Sequence, residues 1–291
     1  MHTFFLGIGF GLVTSAILAL AAVAVSLQLS VTNFINFAYG DYLTLAAYLA
    51  WSFTRAGMPL WLAIVLSGAV TGAIAVIIHI LVFRRFMRRS VRPVTLLIAG
   101  LGVSFIVQDA MVIIWGTEPQ RFTTTLGSAR QVGPFLLTPG DMIIILTGAV
   151  LLLGLHMLLA YTKFGKALRA TSNNLDLAQA SGINVERVTS ITWFLVGVLT
   201  VVPAVALVLE QGTLDPTTGF NELFVIFGAV ILGGVGRPYG AMLGALVVGV
   251  STEVAGMYLN AGYKSSIAFA LVIILLMFRP SGLLSAAGKT S

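Results

Sequence analysis

The chain has 291 residues, of which 58% are hydrophobic and only 9% charged, with 16 Lys plus Arg against 10 Asp plus Glu and a mean hydropathy of +1.02. A soluble domain carries about 25% charged residues, so a water-soluble enzyme is excluded, as is a disordered chain, which needs low hydrophobicity and high net charge. The absence of Cys excludes disulfides and thiolate metal sites, and the apolar runs are too long for the alternating strands of a membrane barrel.

A hydrocarbon core about 30 Å thick takes roughly 20 apolar residues per helix. With short loops the chain then holds about eight or nine spans. It reads as an all-α polytopic membrane protein with one transmembrane domain over 1–291. Candidate spans lie at 4–27, 37–54, 59–83, 94–115, 142–161, 189–209, 222–235, 241–259 and 264–278. Only Met1, His2 and Thr3 precede the first, so it lacks the basic leader of a signal peptide and reads as a retained helix. Pro59 and Pro93 stand where helices begin, Pro280 follows the last span, and Pro203 should kink the sixth.

Basic residues set the orientation. The run Arg84-Arg85-Phe86-Met87-Arg88-Arg89-Ser90-Val91-Arg92 holds five Arg and no acid and is expected in the cytoplasm. So is the segment 162–188, with Lys163, Lys166, Arg169 and Arg187. The stretch 116–141 and the loop 210–222, which has Glu210, Asp215 and Glu222 and no base, fall outside. Arg279 and Lys289 put the C-terminus inside, and counting back puts the N-terminus outside. A broken or re-entrant course at 28–41 would change the sense of the first spans.

Polar residues inside a membrane are costly and default to function. In chain order they are Gln28; the run Asn33-Phe34-Ile35-Asn36-Phe37-Ala38-Tyr39-Gly40-Asp41; Gln108-Asp109 in the fourth span; and Glu253 beside Thr252 in the eighth. Unwound backbone at membrane depth is tolerated where it lines a cavity, and broken helices often border the solute path of a transporter. The alternative for 33–41 is an interfacial loop. For Asp109 and Glu253 the alternatives are a helix-to-helix hydrogen bond and a place along the solute path. His79 and His156 are the buried His candidates, and neither neighbours a Ser-rich motif.

The segment 162–188 is too long for a turn and too polar to insert. Asn173 with Asp176 has capping-box spacing, and Gly182 supplies a left-handed stop, giving a helix of about nine residues. Leu175, Ala178 and Ala180 offer it a small apolar surface that suits docking into a partner. The run Gly233-Gly234-Val235-Gly236-Arg237-Pro238-Tyr239-Gly240 lacks the Lys-Ser/Thr of a phosphate loop and joins two spans. It reads as a tight turn. Gly236, Gly240 and Gly244 follow the spacing of closely packed membrane helices.

Several of these stretches resemble one family. Asp176-Leu177-Ala178-Gln179-Ala180-Ser181-Gly182 resembles the E-A-A-x-x-x-G coupling motif of ABC importer permeases, with Asp for Glu and Leu for the first Ala. Residues 33–41 resemble the I-N-F-A-H-G-E run of LIV-type (branched-chain amino acid) permeases, with Tyr39 for His and Asp41 for Glu. Gly102 to Asp109 with Gly116-Thr117-Glu118-Pro119 resemble its G-x-S-x-x-x-Q-N and G-x-x-P pattern. Leu232 to Ala241, and Arg279-Pro280-Ser281-Gly282-Leu283-Leu284, resemble its endings. The matches run in order from about 10 to 284.

The resemblance implies a permease subunit of an ABC importer, not an enzyme, in a bacterial or archaeal cytoplasmic (inner) membrane. It implies three kinds of partner: a second LIV-type permease subunit, two cytoplasmic ATPase subunits that bind ATP and Mg, and a periplasmic or lipid-anchored solute-binding protein. Branched-chain amino acids or related small solutes would cross by alternating access, with no cofactor in this chain. Asp176, Leu177, Ala178 and Gly182 would form the ATPase contact. Asn33, Asn36, Tyr39, Asp41, Gln108, Asp109 and Glu253 are the candidates for the solute path. The acidic 210–222 loop would meet the binding protein. The competing reading is a proton-coupled secondary transporter using Asp109 and Glu253. A channel lacks its ring of charges.

Overall fold

The first apolar run folds as one long helix, α1 (His2–Thr32), and after a six-residue break the chain re-enters as α2 (Tyr39–Arg55). Next come α3 (Leu60–Ile78), a π-helical turn at His79–Phe83 and α4 (Arg84–Arg88), continuous with one another, then α5 (Pro93–Trp115). A hairpin of β1 (Arg130–Val132) and β2 (Phe135–Leu137) precedes α6 (Pro139–Tyr161). Then follow α7 (Lys163–Asn173), α8 (Leu175–Ala180), α9 (Val185–Gln211), α10 (Thr218–Gly233), α11 (Pro238–Tyr258) and α12 (Lys264–Phe278). This is a computed structural model, and it describes residues 2–89, 91–124, 126–259 and 264–278. The Arg279–Leu284 ending and Lys289 lie outside the described residues.

Six stretches are long and apolar enough to cross a bilayer: Phe4–Thr32, Leu60–Arg88, Pro93–Trp115, Pro139–Tyr161, Val185–Gln211 and Pro238–Tyr258. The chain is a multi-pass membrane protein. All nine expected runs fall on helices. However, α2, α10 and α12 have 17, 16 and 15 residues, about 22–26 Å at 1.5 Å per residue, less than the roughly 30 Å of hydrocarbon. The expected count of eight or nine is thus met by length in six.

Boundaries follow local chemistry. Pro59 precedes α3, and Pro93, Pro139 and Pro238 open their helices, where a missing N–H costs nothing. Thr138 and Asp141 form a reciprocal capping box at α6, with bonds of 2.8 and 3.0 Å. Pro203 is buried inside α9, which runs through it as one element. The hairpin falls where the sequence suggested only a loop; Val132 pairs with Phe135, and Leu137 packs on Val13 and Ile17 of α1.

Close helix approach builds the interior. On α1, a Cβ at Gly11 would stand 2.7 Å from the Val250 Cα of α11, and one at Gly249 would meet the Ser15 nitrogen at the same distance. A Cβ at Gly197 of α9 would lie 2.6 Å from the Gly72 Cα of α3. Membrane interiors use such small residues because lipid is as apolar as Leu and drives no helix together. Of the sequence-expected packing glycines, Gly240 and Gly244 press on Gly233 and Ala229 of α10. Gly236 does not: it has φ +72° and makes the turn between α10 and α11.

The molecule has two chemically distinct ends. Arg84, Arg85, Arg88, Lys163, Lys166 and Arg169 lie on α4 and α7 at one end, with the start of α9. The end of α9 lies at the other, acidic end, with Glu210, Asp215 and Glu222, and there Gln120 and Leu214 join two loops through paired backbone bonds of 2.8 Å.

Candidate functional site

The break between α1 and α2 is narrower than its sequence suggested. α1 continues through Gln28 to Thr32, and only 33–38 leaves helical geometry. Asn33 makes the turn with φ +54°, alone among the described non-Gly residues in having positive φ, and Asn tolerates that region because its short amide can bond locally. The Asn36 carboxamide oxygen then accepts the Ala38 N–H at 3.1 Å, starting α2.

Asp41 follows in the first turn of α2, fully buried. Three features allow a buried carboxylate there. The helix N-terminus favours negative charge. Gln108 Nε2 donates to Asp41 Oδ1 at 2.8 Å, and the Ser104 hydroxyl donates to Oδ2. Ser104 and Gln108 are four residues apart on α5, so they share a face, and the trio ties α5 to α2. Asn36 touches the same helix at Gly100, where a Cβ would come within 3.2 Å of its oxygen. Tyr39 is fully buried and donates to the Ala21 carbonyl of α1 at 3.1 Å. The Asn36 side chain and the Tyr42 hydroxyl are buried beside one another.

A cavity of about 590 Å³ opens beside the break, lined by Ser30, Asn33, Ser172, Asn173, Gly236 and Arg237 among others. Of the expected path residues only Asn33 lines it. Asn36, Tyr39 and Asp41 are buried and Gln108 is half-buried, and none of the four lines it. Asp109 parts company with its neighbour, because successive helical residues point about 100° apart. Gln108 faces Asp41, whereas Asp109 is exposed on the outer side of α5.

Glu253 belongs to a different cluster, at the acidic end. It is buried on α11 and receives Lys264 Nζ at 2.7 and 2.8 Å. The Thr14 hydroxyl lies 3.3 Å from both Glu253 and Glu210, and Gln211 donates to Glu222 at 2.9 Å. These side chains line a second cavity of about 270 Å³. The sequence reading took Glu253 as a path candidate and Glu210 and Glu222 as part of an outside loop, without joining them. The three acids without a base in 210–222 were its visible signal; Thr14 and Lys264 carried none, since contact between α1, α11 and α12 brings them in.

At the basic end the polar segment is two helices, not one of nine residues. α7 consumes Asn173 as its last residue, so Asn174 takes the cap instead and accepts the Leu177 N–H at 2.9 Å. α8 then has six residues and ends in a Schellman motif, in which Gly182 N–H bonds Gln179 and Ile183 N–H bonds Ala178, at 2.9 and 3.0 Å. Gly182 has the left-handed φ of +80° this requires. Asp176 is exposed and Leu177 is 65% exposed, while Ala178 is turned inward. Ala178 therefore anchors α8, and Leu175 and Leu177 form its outer surface. Beyond it, Glu186 at the start of α9 is gripped by Arg84 and Arg88; Arg88 Nε donates at 3.0 Å. One level deeper, Trp193 is fully buried against His79 and Phe83 of the π-turn, each stacked at 5.0 Å between ring centroids. His156 is exposed, contrary to expectation, and pairs with the Tyr239 hydroxyl at 2.8 Å.

A model of the family described as "Branched-chain amino acid transport system / permease component" matches residues 7–277. The high-affinity branched-chain amino acid transport system permease protein LivH of Salmonella typhimurium is 28% identical over 288 residues, covering 94% of this chain and 93% of that protein. The probable branched-chain amino acid transport permease protein LivH of Methanocaldococcus jannaschii is 30% identical over 292 residues, covering 94% and 90%. Among solved structures, PsaBC from Streptococcus pneumoniae in complex with Fab is alike in fold, with a TM-score of 0.52 and 17% identity over 94% of this chain and 91% of that chain.

Proposed function

The chain belongs to the branched-chain amino acid permease family of ABC transporters, and from that premise we propose that it translocates branched-chain amino acids or related small solutes across a cytoplasmic membrane. A solute-binding protein delivers the solute at the acidic end. Two ATPase subunits dock at the basic end, and a second permease completes the path. ATP and Mg²⁺ are held by the ATPases. This chain contributes a conduit whose inward mouth is the cavity beside the α1–α2 break.

The observation that carries the reading is the match over nearly the whole chain, which takes in the exposed α8 segment as well as the spans. In this reading Leu177 and Asp176 meet the ATPase, and Ala178 and Gly182 give α8 its fixed shape. Glu186, held by Arg84 and Arg88, joins the exit of α8 to α4, so motion at α8 reaches α3 and α9 together. Asn33 lines the mouth. Asp41, with Ser104 and Gln108, holds the break against α5. Nothing in the geometry favours the proton-driven alternative: Asp109 does not line the cavity that Glu253 lines, and Glu253 is already paired with Lys264.

The test is purification from the native membrane, identification of the co-purifying chains by mass spectrometry, and uptake of radiolabelled leucine into proteoliposomes. Two ATPases, a second permease and uptake that needs both ATP and a binding protein are expected. Leu177→Asp should then abolish uptake without loss of the folded subunit. Uptake by this chain alone, driven by a proton gradient and indifferent to Leu177→Asp, would sink the reading.

A further inference from the structure

We propose that the outward stripe of α5 around Asp109 is the seam with a second, non-identical permease subunit. That subunit sets a cationic or hydrogen-bond-donating side chain against the Asp109 carboxylate. The inference rests on the reading above that the chain works in a permease pair.

Two stripes of the protein invite comparison. On α5, Ile98, Phe105, Ile106 and Ile113 are each more than half exposed. They recur at helical spacing and form one face with Gly102 and Asp109. On α6, Ile143, Leu146, Val150, Leu153 and Met157 form a similar face, also more than half exposed. The α6 stripe is apolar throughout and can meet acyl chains at no cost. The α5 stripe cannot. Asp109 lies six residues before Trp115, about 9 Å inside the end of α5. Its short side chain cannot reach the headgroups as a Lys or Arg does. It has no hydrogen-bond partner among the described residues. A carboxylate at such depth faces protein or water, not lipid.

Gly102 leaves room on this face for another helix, since a Cβ there would meet nothing within 4 Å. Gly154 on α6 is equally open, so it is the Asp109 carboxylate that separates the two stripes.

The charge also selects the partner. Two identical chains meet through the same patch about a two-fold axis, which would bring Asp109 toward its own image. Among the described residues, the spanning helices hold no free cation to answer it. Their Lys and Arg lie within about a turn of their ends, and Lys264 is bound to Glu253. A different chain with a donor at this level removes the conflict.

The test uses the complete complex in lipid nanodiscs. The photoreactive residue p-benzoylphenylalanine is placed singly at Ile106 and Ile113, with Leu146 and Val150 of α6 as controls. Irradiation should join this chain to the second permease from both α5 positions and from neither α6 position. Asp109→Leu should lower recovery of the second permease about fivefold, the scale of one interhelical hydrogen bond in a membrane. Asp109→Asn and Ile113→Leu should retain it. A second permease that is present but captured from neither α5 position, or captured from α6, overturns the proposal. An adduct of twice this chain's mass overturns the non-identical partner. A complex that holds no second permease, seen by mass spectrometry before irradiation, overturns the pairing and with it the reading on which this rests.

Discussion

α1 and α6 are built from nearly the same material, yet they occupy opposite places. Both are long runs of Leu, Ile, Val, Ala and Gly, apolar enough to span a bilayer. In the most apolar window of α1, 72% of the residues are buried; in that of α6, 22% are. The difference lies in the minor residues. α1 carries Gly7, Gly11 and Ser15 at four-residue spacing where it meets α11, and buries Ser15, Ser26, Gln28, Ser30 and Thr32. α6 buries one polar side chain, Asp141, at its cap. In lipid the interior of a protein is marked by small and polar residues, because apolar ones are equally at home on either side.

The sharpest way to break this comparison is to enlarge a glycine on each kind of helix. Gly197→Leu puts a side chain where the Gly72 backbone already stands. Overpacking typically costs 1–3 kcal/mol. A helix-to-helix clash with no flexible neighbour belongs at or above the top of that range, and loss of monodisperse protein in size-exclusion chromatography is expected. Gly154→Leu on α6 is the counterpart, since its Cβ would meet nothing within 4 Å. That change should stay within about ±0.5 kcal/mol, read as an unchanged melting temperature in detergent. Equal outcomes for the two would refute the division into inner and outer helices.

A smaller effect is expected at the polar network. Asp41→Leu leaves Ser104 and Gln108 without their acceptor inside the protein, and hydrogen bonds to charged groups contribute about 1.5–3 kcal/mol each. Melting temperature and uptake should both fall. Asp41→Asn keeps one acceptor oxygen and should recover much of the stability. If Asp41→Leu were as stable as the parent, the network would not be what holds α2 to α5.

Glu186→Gln ranks lowest for stability, because its ion pairs with Arg84 and Arg88 are open to solvent and such pairs are weak. Its effect should appear in coupling instead. ATP hydrolysis by the assembled complex should persist while uptake falls, measured as solute moved per ATP. A variant with unchanged stoichiometry would remove Glu186 from the transmission path.

Much of this protein was legible before folding. Charge scarcity and run length identify a membrane protein, because the hydrocarbon thickness fixes how many apolar residues a helix needs. Prolines at 59 and 93 marked helix starts because a missing N–H is harmless only there. Gly182 announced a left-handed turn, and the ordered motifs announced the family. Facing was not legible. Helices that are apolar all round have little amphipathic contrast, so the sequence could not say that Gln108 turns to Asp41 and Asp109 away, or that Ala178 turns inward while Leu177 faces out. Nor could it gather Thr14, Glu210, Glu253 and Lys264 into one cavity, since residues so far apart in the chain meet only when α1, α9, α11 and α12 pack. The composition and the local breakers are properties of the chain; which side of each helix is inside is decided by close packing between helices.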